Sequence, residues 1–378
     1  MNPFNRIFID GAALAHNYSY VSSRVSPDVR VMAMVKSEAY GHDMLRASRI
    51  FADSGCSSFG VADLDEGVAL REGGCDGDIL VFVGVDHRDI DYLFSHRLTP
   101  VIFNTEDLKR IASLGRRRGQ KMPIYLKVDS GMGRLGYDPA EVGQILESCT
   151  TLAVNLQGVI SHYPNSDEPD SDHSLQAHRL LTSIESPPAR SAGSAAPFSY
   201  SICNSGGILY FPQTHGDMVR AGISLYGYYP DGAVGRARDG PDGLKPAMSC
   251  HTRVAQVKQV AAGSGISYGH TYICERDTRI AVLPIGYSDG YLRLMSNRAE
   301  VLVKGQRAPV LGRICMNMCM VDITAIEGVT PGEDVVLLGH QGDDCIDADE
   351  IGGWAETISY EILCALGNNN KRFIIEQL

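Results

Sequence analysis

The sequence predicts an α/β protein with an N-terminal (β/α)8 barrel, of the TIM-barrel kind, followed by a smaller, mostly-β domain. Short apolar runs alternate eight times with amphipathic stretches between residues 30 and 227, and eight strand–helix units favour a closed barrel over an open doubly wound sheet. Beyond residue 247, short β-branched runs separated by turn residues indicate a mostly-β domain. No Gly-x-Gly-x-x-Gly sequence follows the first strand of the alternation, which disfavours a dinucleotide-binding fold.

The elements of the first domain can be placed in order. A strand at Arg6–Asp10 and a helix at Gly11–Val25 precede the alternation. Barrel strands are predicted near residues 30–36, 56–62, 78–84, 99–103, 123–129, 156–163, 197–203 and 217–223. Helices are predicted at Met44–Ser54, Asp63–Glu72, Arg88–Arg97, Thr105–Gly119, Pro139–Ser148 and Asp172–Ile184. An acidic stretch, Ser166–His173, and a Pro/Ala/Ser/Gly-rich stretch, Pro187–Pro197, are interpreted as surface loops.

The second domain is predicted to begin after a Gly/Pro/Asp-rich linker, Tyr228–Pro246. Its predicted strands are Arg253–Val260, Arg279–Pro284, Ala299–Val303, Pro309–Cys315, Met320–Ile323 and Asp334–Leu338. One helix, Ala348–Leu366, and a final strand near Arg372–Ile375 complete it. We therefore expect domains at residues 1–240 and 241–378, with the first strand, residues 6–10, as a candidate to pack with the second domain.

Composition restricts the class of protein. The chain has 378 residues, a formal net charge of −11 and 44% hydrophobic residues, which suits a globular protein large enough for two domains. The negative charge argues against nucleic acid or an anionic membrane as a partner, and no apolar run reaches the roughly 20 residues of a membrane span. Ten cysteines are scattered, with only Cys315 and Cys319 close together, so neither a disulfide scaffold nor a metal site is predicted. We expect a cytoplasmic protein without a metal ion.

One lysine ends the first predicted barrel strand. Residues 30–35 form an almost wholly apolar run that leads to Lys36, and Tyr40, Gly41 and His42 follow as a polar turn. An amine at such a position is costly to bury unless its charge is paired, shifted or consumed by chemistry. It suits a Schiff base with a phosphate-bearing aldehyde cofactor. A salt-bridged structural lysine is the alternative that this position leaves open.

Further polar residues follow the later barrel strands, at the end where barrel enzymes carry their sites. The fifth strand leads into Lys127–Arg134, the sixth ends at His162, the seventh leads into Cys203–Gly207 and the eighth carries Arg220. Phosphate sites in barrels often use the loops after strands 7 and 8. Together with the lysine on strand 1, these residues predict pyridoxal 5′-phosphate as the cofactor. Taken singly, the histidine could be a core residue, the arginine half of a buried ion pair and the glycines turns.

Six motifs, in matching order and spacing from the first strand to the C-terminus, resemble those of alanine racemase. They are Lys36–His42, Lys127–Arg134, Arg220–Gly227, Ile266–Tyr272, Leu283–Gly290 and Gly312–Met316. The resemblance implies a barrel, a C-terminal β domain and pyridoxal phosphate, in an isomerase that interconverts L-alanine and D-alanine. It also implies a head-to-tail homodimer in which each site borrows residues from its partner, and a role in supplying D-alanine for peptidoglycan.

The resemblance implies roles for individual residues. Lys36 resembles the Schiff-base lysine, and Tyr268 resembles the second catalytic base, which reaches in from the other subunit. Arg220 resembles the partner of the cofactor's pyridine nitrogen, and His162 resembles the ring-stacking residue that links Arg220 to Tyr268. The residues that resemble phosphate ligands are Tyr40, Ser205, Gly222, Ile223 and Tyr360.

Three further positions resemble the substrate-binding part of the family's site. Arg134 and the backbone of Met316 resemble the clamp for the substrate carboxylate. Lys127 resembles a lysine that carbon dioxide carbamylates, and an anionic carbamate could orient Arg134 through a bidentate pair. Racemisation removes the Cα proton from one face and returns one to the other, so a base on each face is what the chemistry requires.

The sequence also departs from the family's pattern. Asn317 stands where aspartate is usual, Met318 where glutamine is common and Ser37 where alanine is usual, and Gly367–Phe373 lacks the arginine-rich ending. Asn317 removes a charge beside the carboxylate clamp, so a racemase of serine or of broader specificity is the alternative. A fold-type III decarboxylase is less favoured because it needs a cysteine acid and an acidic residue for a second amine. A non-catalytic cofactor carrier would resemble the barrel alone.

Overall fold

The structure is a computed structural model that describes residues 4–169, 172–184 and 199–375. The chain divides into two compact units, which we call the barrel unit (residues 15–39 and 47–244) and the β-rich unit (residues 1–14, 40–46 and 245–378). The predicted loop Pro187–Pro197 lies outside the described residues, as do positions 170 and 171 of the predicted acidic loop. Within the described chain, no helix is both long enough and apolar enough to cross a membrane.

The barrel unit confirms the predicted (β/α)8 fold. Its described residues form an eight-stranded parallel sheet in which strands 1 to 7 are sequential neighbours and strand 8 pairs with strand 1. Barrel strands 1 to 8 are Arg30–Met34, Ser58–Val61, Asp78–Val81, Leu98–Ile102, Met122–Lys127, Val154–Ile160, Ser199–Ser201 and Met218–Ala221. Backbone hydrogen bonds from Arg220 to Cys203 (2.9 Å) and from Asp217 to Tyr200 (3.2 Å) join strand 8 to strand 7 and its continuation. The ring is therefore nearly closed.

Helices connect these strands because amphipathic stretches follow each apolar run. The described helices of this part of the chain are Gly11–Ser23, Met44–Asp53, Leu64–Glu72, Asp91–Ser95, Thr105–Arg118, Val142–Thr151, Asp172–Thr182, Ser205–Tyr210 and Ala233–Asp239. Side chains cap the N-termini of several of these helices: Asp63 accepts from the Glu66 N–H, and Asn104 accepts from the Asp107 N–H. Strand 1 is buried from Val31 onward, as a parallel strand covered on both faces should be.

The β-rich unit is built on a seven-stranded sheet. Its strands are Gln306–Pro309, Glu300–Val303, Asp334–Gln341, Met248–Arg253, Arg6–Asp10 and Lys371–Ile375 in spatial order, with Asp344–Ile346 paired to the third. A three-stranded sheet contains Gln256–Val260, Thr278–Leu283 and Cys319–Asp322, and a two-stranded ribbon contains Gly265–Ile266 and Tyr272–Ile273. The first strand of the chain, Arg6–Asp10, therefore pairs within this unit, with Met248–Arg253 and with Lys371–Ile375.

The single helix predicted at Ala348–Leu366 is wrong. Two helices occur instead, Ala348–Ala355 and Ser359–Asn369. Between them Glu356 adopts a left-handed conformation (φ 56°), and its N–H and that of Thr357 cap carbonyls of the first helix. The sequence does not predict this break, because glutamate rather than glycine occupies the left-handed position.

The strand predicted at Pro309–Cys315 is also wrong in extent. The observed strand is Gln306–Pro309, and only an isolated bridge at Val310 continues it. Gly312 then turns the chain with φ +71°, at a point where an added Cβ would lie 2.5 Å from the Ile266 carbonyl oxygen. The close approach of two loops therefore ends the strand.

Two predictions in the barrel half differ from the structure as well. The predicted linker Tyr228–Pro246 contains a helix, Ala233–Asp239, whose Arg238 pairs with Asp231 at 2.9 Å. The predicted helix Arg88–Arg97 is reduced to Asp91–Ser95.

Candidate functional site

Polar side chains gather at the carboxyl ends of the barrel strands. Strand 1 ends two residues before Lys36, strand 5 ends at Lys127, and strand 6 ends two residues before His162. Strand 8 itself carries Arg220. Because the strands are parallel, these positions share one end of the barrel. The charges of Lys36, Lys127 and Arg220 all act on His162, so these side chains converge in space.

Arg220 is a buried cation with neutral partners. It is only 4% exposed, and it donates to Ser201 Oγ at 2.5 Å and to the Ser161 carbonyl at 2.6 Å. A third bond goes to the Ile202 carbonyl at 3.2 Å. In the part of the chain that the structure describes, no carboxylate pairs with this guanidinium and no hydrogen bond of its Nε is found. Burial lowers the pKa of Arg220 to about 10, so the side chain is still charged at neutral pH and has a donor left for a ligand.

His162 is held neutral in a defined tautomer. Arg220 Nη2 lies 3.3 Å from His162 Nδ1, and because a guanidinium can only donate, Nδ1 must accept. The imidazole proton is therefore on Nε2. Burial lowers the pKa of His162 well below its usual value, and the charges of Arg220, Lys127, Arg134 and Lys36 lower it further. The ring is thus an uncharged, partly buried aromatic surface beside a cation.

Lys127 lies in the same cationic environment. It is 8% exposed, at the end of barrel strand 5. Burial lowers the pKa of Lys127 well below its usual value, and the charges of Arg220 and Arg134 act in the same direction, while Asp129 opposes them. No salt bridge of Lys127 is found among the described residues, so no ion pair there offsets the effects that shift its amine toward the neutral form.

The loop after strand 5 is organised by Asp129, a residue that the sequence analysis did not single out. Its carboxylate accepts from the N–H groups of Gly131 (3.0 Å), Gly133 (3.0 Å) and Arg134 (2.9 Å). Although burial alone would raise the pKa of Asp129, these backbone donors hold it below its usual value. The loop thereby presents Arg134 as an exposed cation. An aspartate followed by two nearby glycines was the available sequence signal.

Hydroxyl and amide groups cluster after strands 7 and 8. Ser205 Oγ accepts from the Gly222 N–H at 3.0 Å and lies 3.0 Å from Ser224 Oγ. The N–H of Ile223 makes no hydrogen bond with the residues described. Next to Ser205, a Cβ on Gly206 would lie 2.2 Å from the Ser166 carbonyl oxygen, so the two loops touch backbone to backbone. This buried cluster of donors is suited to an oxyanion such as a phosphate.

The β-rich unit brings Tyr40 and Tyr360 together. Their ring centroids lie 6.1 Å apart, and burial raises the pKa of Tyr40 above its usual value. Gly41 has φ +86°, and a Cβ there would lie 2.4 Å from the Leu363 carbonyl oxygen. The chain after Tyr40 can therefore lie directly on the helix that carries Tyr360 because residue 41 has no side chain.

Tyr268 and Met316 lie on adjoining loops of the same unit and are largely exposed. Tyr268 is 67% exposed and Met316 56%. Ser267 Oγ donates to the Arg313 carbonyl at 2.6 Å and so ties the Tyr268 loop to the segment before Met316. The Met316 carbonyl accepts from Ser288 Oγ at 2.9 Å, whereas its N–H makes no hydrogen bond in the described chain. A backbone donor thus remains for a ligand.

The arrangement as a whole suits an anionic ligand with an aromatic ring. The barrel unit combines the Lys36 side chain, a buried arginine with an available N–H and a cluster of oxyanion donors. Ser161 and Ser201, which hold Arg220, were missed from the sequence because serines near strand ends carry no distinctive pattern. The structure brings Lys36, Lys127 and Arg220 close to His162. It separately groups Ser205 with Gly222, Tyr40 with Tyr360, and Tyr268 with Met316.

Comparison with known proteins agrees with this chemistry. Residues 9–230 match the N-terminal domain of alanine racemase and residues 247–374 its C-terminal domain. An alanine racemase of Syntrophobacter fumaroxidans is 39% identical over 363 residues, 96% of this chain and 95% of the relative. The crystal structure of alanine racemase from D-cycloserine-producing Streptomyces lavendulae superposes with a TM-score of 0.91 at 31% identity, covering 100% of this chain and 98% of that one. Alanine racemase from Bartonella henselae, whose crystal structure has covalently bound pyridoxal phosphate, superposes with a TM-score of 0.87 at 25% identity over 99% and 100% of the two chains. This chain therefore belongs to the alanine racemase family, the pyridoxal-phosphate-dependent isomerases that interconvert L-alanine and D-alanine.

Proposed function

We propose that Lys36 and Tyr268 are the two bases of this racemase and act on opposite faces of the substrate. The observation that carries the proposal is buried Arg220, a cation whose described partners are neutral and which lies beside a neutral His162. A buried arginine without a carboxylate is costly, and an anionic ligand with a hydrogen-bond acceptor would offset that cost. Lys36 lies within electrostatic range of the same histidine, which supports its role as the lysine that binds this ligand.

The residues of the barrel unit fit pyridoxal phosphate. When bound through a lysine, this cofactor supplies an electron sink that stabilises negative charge at the substrate Cα. Arg220 would donate its Nε–H to the pyridine nitrogen, and because arginine keeps its proton at neutral pH, that nitrogen would stay unprotonated. Arg220 would therefore make the cofactor a weaker electron sink, which disfavours side reactions such as transamination. His162 would lie against the ring as a neutral partner of Arg220.

The phosphate would be held by the donor cluster after strands 7 and 8. The Ser205 hydroxyl and the N–H groups of Gly222 and Ile223 are the proposed ligands. The hydrogen bond from Gly222 to Ser205, the N–H of Ile223 that has no partner among the described residues, and the burial of Ser205 and Ile223 support this. Tyr40 and Tyr360 are proposed to add phenol groups, on the strength of the family resemblance and of their neighbouring rings.

The substrate carboxylate would be bound by Arg134 and by the Met316 N–H. We also propose that Lys127 is carbamylated. A neutral amine is the form that adds to carbon dioxide, with loss of one proton, and the lowered pKa of Lys127 provides that form. The resulting anion would offset the charges of Arg220 and Arg134 and could hold Arg134 in a bidentate pair.

In the reaction, one of Lys36 and Tyr268 would remove the Cα proton and the other would return a proton to the opposite face. The test is to incubate the purified protein with L-alanine in D2O and to separate the enantiomers by chiral chromatography. We expect both enantiomers to appear with deuterium at Cα, and Lys36→Ala and Tyr268→Phe each to lose nearly all activity. A lack of D-alanine, or release of carbon dioxide in its place, would refute the proposal.

We further propose a homodimer with shared sites. In it, residues 1–240, apart from the strand Arg6–Asp10 that pairs within the β-rich unit, form the cofactor-binding domain, and residues 241–378 supply Tyr268 to the partner. The exposure of Tyr268 supports this, since a catalytic base works better in a site that excludes water. The exposed large apolar side chains of the β-rich unit include Ile273, Leu294, Met316 and Met318. Exposed apolar side chains of this kind are typical of an interface when they form one contiguous patch.

Subunit complementation tests the shared site. Lys36→Ala and Tyr268→Phe are unfolded together and reassembled, so that random pairing makes half of the dimers mixed. A mixed dimer has one site with both defects and one with neither, and activity should therefore recover to about a quarter of wild type for a two-fold dimer with independent sites. No recovery, with subunit exchange demonstrated by mass, would place both bases in one chain.

A further inference from the structure

The chain directly after Lys36 adopts an unusual conformation. Ser37, Glu38, Ala39 and Tyr40 have φ values of 53°, 57°, 55° and 55°, so four successive residues with side chains are left-handed. Each such residue is less stable by roughly 1–2 kcal/mol than in a right-handed turn. A run of this kind persists only where the surrounding structure holds it.

In addition to the backbone hydrogen bond from Ala39 to the Val35 carbonyl at 2.8 Å, a side-chain contact at the start of this run comes from Glu66. Its Oε1 accepts from the Ser37 N–H at 2.6 Å, and its Oε2 accepts from the Ala62 N–H at 2.7 Å. Ala62 directly follows barrel strand 2, Ser58–Val61, and Glu66 lies in the first turn of the helix Leu64–Glu72. One carboxylate therefore joins the chain leaving strand 1 to the chain leaving strand 2.

The chemistry of this contact requires a carboxylate. Both oxygens of Glu66 accept from N–H groups, whereas an amide or a protonated acid would present a donor to one of them. Hydrogen bonds with a charged acceptor are also stronger than neutral ones. Burial raises the pKa of Glu66, and the N–H groups of Ala62 and Ser37 work against that rise.

We propose that Glu66 is a positioning residue for Lys36: its carboxylate fixes the left-handed run and so sets the direction in which the Lys36 amine points. The inference rests on Lys36 being the cofactor lysine of the proposed function. Glu66 itself touches neither substrate nor cofactor in this proposal. It acts through the backbone of Ser37.

The first test compares Glu66→Gln with Asp65→Asn. Both changes remove one negative charge from the same helical turn, but the Asp65 carboxylate makes no hydrogen bond with the residues described. The full-length apo-protein is titrated with pyridoxal phosphate, and the visible band of the lysine-bound cofactor is followed. We expect Glu66→Gln to weaken binding by about tenfold, as the loss of one charge-assisted hydrogen bond predicts, and Asp65→Asn to bind as wild type does.

Hydrogen–deuterium exchange gives a second readout that does not depend on activity. Fragmentation that resolves the Ser37 amide should show it protected in wild type and in Asp65→Asn, and exchanging faster in Glu66→Gln. A Ser37 amide that exchanges freely in wild type would overturn the inference, even if the Glu66 variant failed to fold.

Rescue separates positioning from general stability. Glycine enters the left-handed region without penalty, and the Ser37 hydroxyl makes no hydrogen bond in the described chain, so Ser37→Gly removes strain and no polar contact. We expect Ser37→Gly to restore cofactor binding in the Glu66→Gln background. Loss of binding without rescue would mean that Glu66 only stabilises the fold, and would overturn the inference.

The outcome can be distinguished from a failure of the proposed function. Wild-type protein is loaded with the cofactor, reduced with borohydride and digested. A label on Lys36 together with rescue supports both proposals. A label on Lys36 without an effect of Glu66→Gln refutes the positioning role alone, and a label on another lysine refutes both.

Discussion

Gly206 lies at a backbone contact next to the proposed phosphate site. An alanine Cβ at this position would be 2.2 Å from the Ser166 carbonyl oxygen and 2.7 Å from Ser166 Oγ. Ordinary contacts start near 3.4 Å, so Gly206→Ala requires the two loops to separate by about 1 Å. Ser166 Oγ also donates to Asn204 Oδ1 at 2.7 Å, and Asn204 caps the helix that begins at Ser205. The separation would therefore disturb the start of this helix as well.

The size of the effect follows from the rigidity of the partner. The nearest clashing atom, the Ser166 carbonyl oxygen, belongs to the backbone, so rotating the Ser166 side chain cannot relieve the strain. Overpacking of this kind typically destabilises a protein by about 1–3 kcal/mol. If the displacement at Gly206 also moves Ser205, cofactor affinity should fall about tenfold or more, since about 1.4 kcal/mol corresponds to a factor of ten.

The assay combines urea unfolding of the apo-protein with titration of the visible cofactor band. Gly143→Ala is the matched control, because Gly143 lies in the helix Val142–Thr151 and a Cβ there would meet nothing within 4 Å. This control should keep wild-type cofactor affinity and gain up to about 1 kcal/mol of stability from helix propensity. If Gly206→Ala matched wild type in both stability and cofactor affinity, the tight backbone contact and its link to the phosphate site would be refuted.

In bicarbonate-free buffer, the difference in unfolding free energy between wild type and Lys127→Met should rise with pH. The rise should extend from the lowered pKa of Lys127 up to its ordinary value of 10.5, because in this pH range the unfolded chain binds one proton more than the folded chain. Added bicarbonate should stabilise wild type but not Lys127→Met. Asn317 donates to Ser288 Oγ at 2.6 Å. Asn317→Asp should raise the KM for L-alanine up to about fivefold with little change in kcat, since the new exposed charge repels the substrate carboxylate. An unchanged or lowered KM would contradict this. Asn104→Ala should destabilise the apo-protein by about 1 kcal/mol in urea unfolding through loss of its N-cap bond, whereas Glu141→Ala, at a cap position without such a bond, should have no effect.

The sequence alone was sufficient to predict the barrel, and it named candidate site residues at the strand ends, whose roles stay predictions. Each barrel strand is a short apolar run, and each major helix carries its own amphipathic pattern, so burial is encoded element by element. Eight such units leave few ways to close a sheet. Polar residues that interrupt an apolar run at a strand end, such as Lys36, His162 and Arg220, are detectable for the same reason, because burying them requires a chemical explanation.

What the tertiary structure decided lies in contacts between distant segments. Glu356 and the residues after Lys36 are left-handed without glycine, and no local pattern predicts this because the stabilising partners lie elsewhere. The tautomer of His162 depends on its contact with Arg220, which is 58 residues away in the chain. The left-handed run after Lys36 depends on Glu66, 29 residues beyond Ser37. Local sequence sets which side chains are buried, but the direction of a side chain and its protonation state depend on neighbours that only the folded chain brings within hydrogen-bond distance.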